Sequence, residues 1–338
     1  MNTNQNTTRG MIRNIFLMVV VAFSFALTSC NDDDDNDIMV PQPAGDIAAV
    51  LEQITDAPET FTSDMLKSKS INEKKPKFKN LIKALVKTNL VSTVAKNELT
   101  VFAPTDAAFE TLFAALGVDG IEDLTAEQLT PILLYHVVGG KVASTDLSSG
   151  FVPTVNGAAI EVDLSSGVMI NDASVVIADI RAANGIIHVI DKVLLPPSMN
   201  LVETALSYDP EFSILVQAVI KAGLTDVLAT GGPYTVFAPT NDAFVALLSE
   251  LGISGLDDLD VETLTKVLLY HVVDGRVYSS DLSSGNVTTL NGTFSLNVST
   301  LKITDANGRE AGLVPSLLNV QATNGVIHVI DKVILPTL

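Results

Sequence analysis

The feature that most constrains this chain is an internal duplication. Thr100–Phe109 (TVFAPTDAAF) returns as Thr235–Phe244 (TVFAPTNDAF), Leu133–Val138 (LLYHVV) as Leu268–Val273, and Asp146–Gly150 (DLSSG) as Asp281–Gly285, all offset by 135 residues. Asn184–Pro196 returns as Asn324–Pro336 at an offset of 140, so the second copy holds five extra residues between Gly285 and Asn324. A repeat this long is a whole domain, not one turn of a solenoid. Whatever folds once here must fold twice. The boundary falls near Pro196-Pro197-Ser198, giving domains over 46–197 and 198–338.

Each copy reads as α+β, helices first and a strand-rich half after. Phe78, Leu81, Ile82, Leu85, Val86 and Leu90 recur at helical spacing, as do Phe212, Leu215, Val216, Val219, Ile220 and Leu224. Leu99–Phe102 reads as a strand closed by Pro104. A second helix carries Phe109, Leu112, Phe113 and Leu116, with Asp106 and its counterparts Asn241 or Asp242 at its start as N-caps or partners for a histidine. A third helix starts at Thr125, where Gln128 completes a capping box. The period then shortens to strands at 152–155, 159–162, 175–178 and 186–190. Asn156-Gly157 and Asn291-Gly292 read as hairpin turns, because both residue types tolerate positive φ.

The N-terminus reads as an address. Arg9 and Arg13 precede an apolar run, Ile15–Ala26, that is too short to span a bilayer and ends in Leu27-Thr28-Ser29-Cys30. This resembles a bacterial lipobox: a signal peptide over 1–29, with Cys30, the chain's single cysteine, as the lipidated residue. One cysteine also excludes an intrachain disulfide and a thiolate-rich metal site. An acidic tether follows over 30–45. Its run Asn31-Asp32-Asp33-Asp34-Asp35-Asn36-Asp37 serves as a self-repelling spacer, and it is similar to the acidic sorting tract of surface-exported Bacteroidota lipoproteins; the two readings are compatible. Twenty Lys and Arg against 39 Asp and Glu give a net charge of −19, which argues against nucleic acid as a partner. The absence of Trp weakens a sugar-stacking site.

The repeated stretches 100–109 and 235–244, the pairs Tyr135-His136 and Tyr270-His271, and the stretches 184–196 and 324–336 resemble the fasciclin domain family. The resemblance covers nearly all of 46–338. It implies, for each copy, a β-wedge or sandwich with several helices packed alongside. It also implies contacts with cell-surface or matrix proteins or glycans, generally without catalysis or a cofactor. In animal adhesive relatives an Asp-Ile pair just before the last motif is linked to integrin binding; Asp179-Ile180 holds that position here, while the second copy has Asn319-Val320. The first copy also carries about 20 additional residues, Ala57 to Pro76, whose Lys67, Lys69, Lys74 and Lys75, followed by Lys77 and Lys79, are the main basic cluster in an acidic chain. They form a surface loop or a contact for an acidic glycan or protein.

The four histidines, His136, His188, His271 and His328, sit in apolar runs at matched positions, which points to buried, hydrogen-bonded rings more than to catalysis or metal binding. No HExxH, GxSxG or Walker loop occurs. Asp305-Ala306-Asn307-Gly308 lacks the ligands of a calcium loop and reads as a turn. The reading that results is an outer-membrane lipid-anchored envelope protein, periplasmic or surface-exposed, with two adhesion modules. The rivals are a small hydrophobic ligand held in a pocket, and a hydrolase, which would need a cleft joining a histidine, a serine and a carboxylate.

Overall fold

The computed structural model describes residues 45–57 and 75–337. The leader, Cys30, the acidic run, Lys67, Lys69 and Lys74 lie outside the described residues.

In the first module, helices Ile47–Asp56, Lys79–Lys87 and Val91–Lys96 lead into strand β1 (Leu99–Pro104). Helices Asp106–Leu116 and Ala126–Tyr135 follow, then β2 (Val137–Gly139), β3 (Gly150–Pro153), β4 (Ala159–Asp163), β5 (Met169–Ile170), β6 (Ala173–Ala182) and β7 (Gly185–Ile190). These strands form one sheet in the order β2-β1-β7-β6-β5-β4-β3. Only β1 and β7 pair in parallel. The second module repeats the plan with helices Leu201–Ser207, Ser213–Lys221, Thr225–Thr230, Asn241–Leu251 and Val261–Tyr270. Its strands are β8 (Tyr234–Pro239), β9 (Val272–Asp274), β10 (Gly285–Thr289), β11 (Gly292–Asn297), β12 (Lys302–Thr304), β13 (Glu310–Gly312), β14 (Val320–Ala322) and β15 (Gly325–Ile330). They divide into two sheets, β14-β15-β8-β9 and β10-β11-β12-β13.

Strand β1 is buried along its whole length, and its alternation explains why. Val101 and Ala103 enter a core shared with the helices, while Phe102 points to the opposite face and enters a second core with Tyr135 and Ile160. Ala238 and Phe237 divide in the same way in the second module. A central parallel pair covered on both faces accounts for the unbroken apolar runs around it.

The repeated Asn-Gly at 184 and 324 acts as a clasp. The Asn184 side chain accepts from the Ile47 amide (2.9 Å) and donates to the carbonyls of Val94 (2.6 Å) and Asn97 (2.8 Å), tying two helices to the start of β7. Asn324 does the same for Leu201, Leu228 and Gly231. Gly185 is required there: a Cβ would stand 2.1 Å from the Leu99 carbonyl oxygen.

The structure corrects several local expectations. Each module opens with an additional helix, Ile47–Asp56 or Leu201–Ser207, ahead of the one read from the sequence. Val86 and Ile220 are 60% and 61% exposed, because the short helices turn that edge to solvent. Leu116 is exposed for the same reason. Thr105 and Thr240, not Asp106 and Asn241, cap the helices that follow β1 and β8. Asp106 and Asn241 accept instead from the Asn80 and Ile214 amides, capping a neighbouring helix (2.8 and 2.9 Å) and leaving the histidines to other partners. Thr289 pairs with Gly292, so the tight loop is Leu290-Asn291, and only the glycine has positive φ (121°). The Thr125–Gln128 capping box forms as read, and 305–308 closes the β12–β13 hairpin.

Candidate functional site

The helix Ala126–Tyr135 delivers the Tyr-His pair into the molecule, with His136 as its C-cap. The Tyr135 hydroxyl donates to the Ala159 carbonyl (2.7 Å). His136 Nδ1 faces the Ile132 carbonyl (2.8 Å), and Nε2 accepts from the Leu194 amide (2.9 Å). Those partners fix one neutral tautomer, with the proton on Nδ1. Burial pushes the His136 pKa down to about 4, and the Ile132 carbonyl only partly opposes this. His271 repeats the arrangement with Val267 (2.7 Å) and Ile334 (3.1 Å), and burial likewise lowers it to about 4.

His188 and His328 staple the other end of each module. Their Nε2 atoms face the carbonyls of Val142 (3.0 Å) and Val277 (2.8 Å). Their Nδ1 atoms accept from the amides of Asp179 and Asn319, each at 3.3 Å. Burial lowers the pKa of both. Both amide donors sit at positive φ, 62° for Asp179 and 59° for Asn319. Asp179 forms a bulge where β6 shifts register against β7. Its carboxylate accepts from the Ser144 amide (2.7 Å) and hydroxyl (2.5 Å). Burial works to raise the Asp179 pKa, but the Ser144 donors hold it below the usual carboxylate range. Ile180, 7% exposed, belongs to the helix-side core. The pair thus serves the sheet as it stands. A serine, a carboxylate and a histidine do meet here, but in the wrong order for a relay. Ser144 donates to Asp179, and neither nitrogen of His188 is free to take the Ser144 proton.

The two sets of motif residues thus make equivalent hydrogen bonds in both copies. The fasciclin domain model matches residues 76–196 and 210–336. The chain belongs to the fasciclin domain family. It is 40% identical over 148 residues to protein sll1483 of Synechocystis, covering 44% of this chain and 79% of that protein. It is 32% identical over 252 residues to the transforming growth factor-beta-induced protein ig-h3 of Sus scrofa, covering 73% of this chain and 34% of that one. To the cell surface glycolipoprotein MPB83 of Mycobacterium bovis it is 40% identical over 111 residues, 32% and 49% of the two chains. The match thus spans about a third of ig-h3 and about half of MPB83. A solved FAS1 domain pair from the insect cell adhesion molecule fasciclin I aligns with a TM-score of 0.35 at 21% identity, over 76% of this chain and 92% of that one.

Between the two fasciclin domains lies a contact that the sequence reading missed. The Gln321 side chain grips both polar atoms of the Ala159 peptide: its Oε1 accepts from the amide (3.1 Å) and its Nε2 donates to the carbonyl (2.8 Å). Tyr278 donates to Gln321 Oε1 (2.9 Å), accepts from the Ala159 amide (3.1 Å), and stacks on Phe151 with ring centroids 4.7 Å apart and planes 5° from parallel. Ala159, Tyr278 and Val326 form a small apolar cluster of their own. The Ala159 carbonyl is the one Tyr135 also binds, so the first Tyr-His pair adjoins the interface. One signal was present in the sequence. At these positions the repeat breaks, Tyr278 standing opposite Ala143 and Gln321 opposite Arg181.

Of the predicted basic cluster, Lys67, Lys69 and Lys74 lie outside the described residues and Lys75 lies within them. Its ammonium donates to the carbonyls of Thr55 (3.1 Å) and Ala57 at the end of helix Ile47–Asp56, a favourable place for a cation. Among the described residues no group of His, Cys, Asp and Glu could hold a metal ion, and no helix is long and apolar enough to cross a membrane. A groove of about 400 Å³ lies beside Leu99 in the first domain, and a smaller, largely apolar pocket of about 40 Å³ lies in the second.

Proposed function

We propose that this chain is a lipoprotein of the cell envelope, held in the outer membrane through Cys30, that presents two fasciclin domains as adhesion modules to a surface or matrix protein or glycan. The observation that carries the reading is how the motif residues are used. All four imidazoles and both motif tyrosines are committed to backbone groups inside the scaffold. What remains for function is the exterior of a coupled pair, as suits a docking module. MPB83, a cell surface glycolipoprotein, is a precedent for such a domain at the end of a lipid anchor. Lys67, Lys69, Lys74 and Lys75 supply a contact for acidic glycan; of Asp179-Ile180 only the half-buried Asp179 carboxylate can meet a protein, because Ile180 is buried in the core. Display of many weakly binding copies raises the avidity.

Replacing Cys30 by Ala should move the protein from the membrane fraction to the soluble one; unchanged membrane retention defeats the anchor. Protease shaving of intact cells then reports which side of the membrane it occupies. A glycan array and a pull-down with the full chain identify the partner class, and loss of cell attachment in the Cys30→Ala strain links display to adhesion.

A second reading, a small hydrophobic ligand held by one module, is favoured by the groove beside Leu99. Its volume is in the range of small-molecule sites.

A further inference from the structure

The groove lies in the first domain, at a place where the two copies differ. Its floor is apolar, with Leu85, Leu99, Leu133 and Val137, and its rim carries Thr93, Asn97 and Glu98. The copies run at an offset of 134 through the preceding helix (Phe78 to Phe212) and at 135 from the strand onward. Asn97-Glu98-Leu99 therefore stands opposite a stretch longer by one residue, Gly231-Gly232-Pro233-Tyr234. There the tyrosine folds back over the two glycines. Its hydroxyl and ring edge come within 3.0 and 3.2 Å of where a Gly231 side chain would stand, and its ring within 3.3 Å of the corresponding point on Gly232. The ring packs against the helix-side core. The second domain thus places a phenol where the first has Leu99, folded towards the position that Asn97 holds in the first.

That internal precedent names the occupant: an apolar ring ending in one neutral hydroxyl. The rim agrees, since Thr93, the Asn97 amide oxygen and the Glu98 carboxylate can accept a hydrogen bond from such a group. Glu98 already faces Lys141 at 3.2 Å, and the chain's net charge of −19 disfavours anions. We propose that the groove beside Leu99 is a binding site for a small uncharged aryl alcohol, and that Tyr234 closes the equivalent site in the second domain. The proposal rests on the second reading above and assigns it to one domain and one ligand class.

The test is a fluorescence titration of the full chain with 2-naphthol, which can be excited beyond the protein's own absorbance because the chain has no Trp. One saturable site is expected. Leu99→Tyr should weaken binding at least tenfold. Thr93→Phe, an exposed substitution at the mouth, should do the same and guards against misfolding of the first variant. Tyr234→Leu should raise the stoichiometry towards two. No saturable binding, or full binding in both blocked variants, overturns the proposal. Equal binding of 2-naphthoate overturns the claim of a neutral ligand. If binding is lost only in Leu215→Phe, which fills the small cavity of the second domain, the second reading stands and this site fails.

Discussion

The two domains share the three repeated family motifs and yet do not build the same sheet. In the first, β6 runs unbroken over Ala173–Ala182 and joins both halves into one seven-stranded sheet. In the second, a 3-10 turn at Pro315–Leu317 interrupts the corresponding stretch between β13 and β14, and the sheet falls into two. Proline has no amide hydrogen and cannot continue a ladder. The staple beneath is unaffected: Asp179 and Asn319 keep the same positive φ and offer the same amide to His188 and His328 at 3.3 Å. What the fold holds fixed is the partnership of buried backbone groups with imidazoles; the continuity of the sheet is free to vary.

If that comparison is right, acid should strain both domains together. His136 and His271 have a folded pKa of about 4 against 6.5 for the free side chain. Between those values the unfolded chain binds more protons, so stability rises with pH and is lost as pH falls from about 6.5 towards 4. Each imidazole contributes roughly 3 kcal/mol to that loss, and His188 and His328 add in the same direction. Unfolding midpoints at pH 7, 5.5 and 4.5 measure it; a flat profile would mean the rings are not buried as described. Next in size, His136→Ala and His271→Ala should each cost about 3–5 kcal/mol, because each strands a buried carbonyl and a buried amide and leaves a cavity. Thermal unfolding of the two variants should show similar losses. A large loss in one and none in the other would break the equivalence.

The interface sharpens the contrast, since its groups are not duplicated. Removing Gln321 leaves the Ala159 amide and carbonyl with one partner each, and removing Tyr278 also removes the stack on Phe151. The double variant Tyr278→Ala/Gln321→Ala should cost about 2–4 kcal/mol of coupling and turn a single calorimetric transition into two. Two separated transitions in the unaltered chain would show that the contact does not couple the domains.

How much of this could be read from the sequence follows from what repeats. The duplication, the α+β order and the buried histidines were legible because each is a pattern seen twice, and the Thr125 cap because its signal is local. The opening helices were missed because Ile47–Asp56 is held by contacts far along the chain, through Asn184 and the core beneath β7. Val86 and Leu116 keep helical spacing, but they lie on a helix edge that faces solvent. The clasp of Gln321 on Ala159 joins residues 162 apart, and no periodicity encodes it.

The smallest expected effect bears most directly on function. Asn319 shows what an amide does at the Asp179 position: its Oδ1 accepts from the Ser279 amide (2.7 Å) and its Nδ2 donates to the Ser279 hydroxyl (2.7 Å), matching the grip of Asp179 on Ser144. Asp179→Asn should therefore change stability by less than about 1 kcal/mol, since asparagine tolerates the left-handed backbone as well as aspartate does. Asp179→Ala should cost about 1–2 kcal/mol, losing both that tolerance and the partner of the Ser144 amide. Melting curves separate the two. If Asp179→Asn melts like the parent but its cells lose attachment, the negative charge itself meets a partner, and the first domain does at this bulge something the second cannot. If attachment is unchanged, Asp179 and Asn319 are interchangeable parts of one scaffold, and adhesion must be sought on the surfaces where the two copies differ.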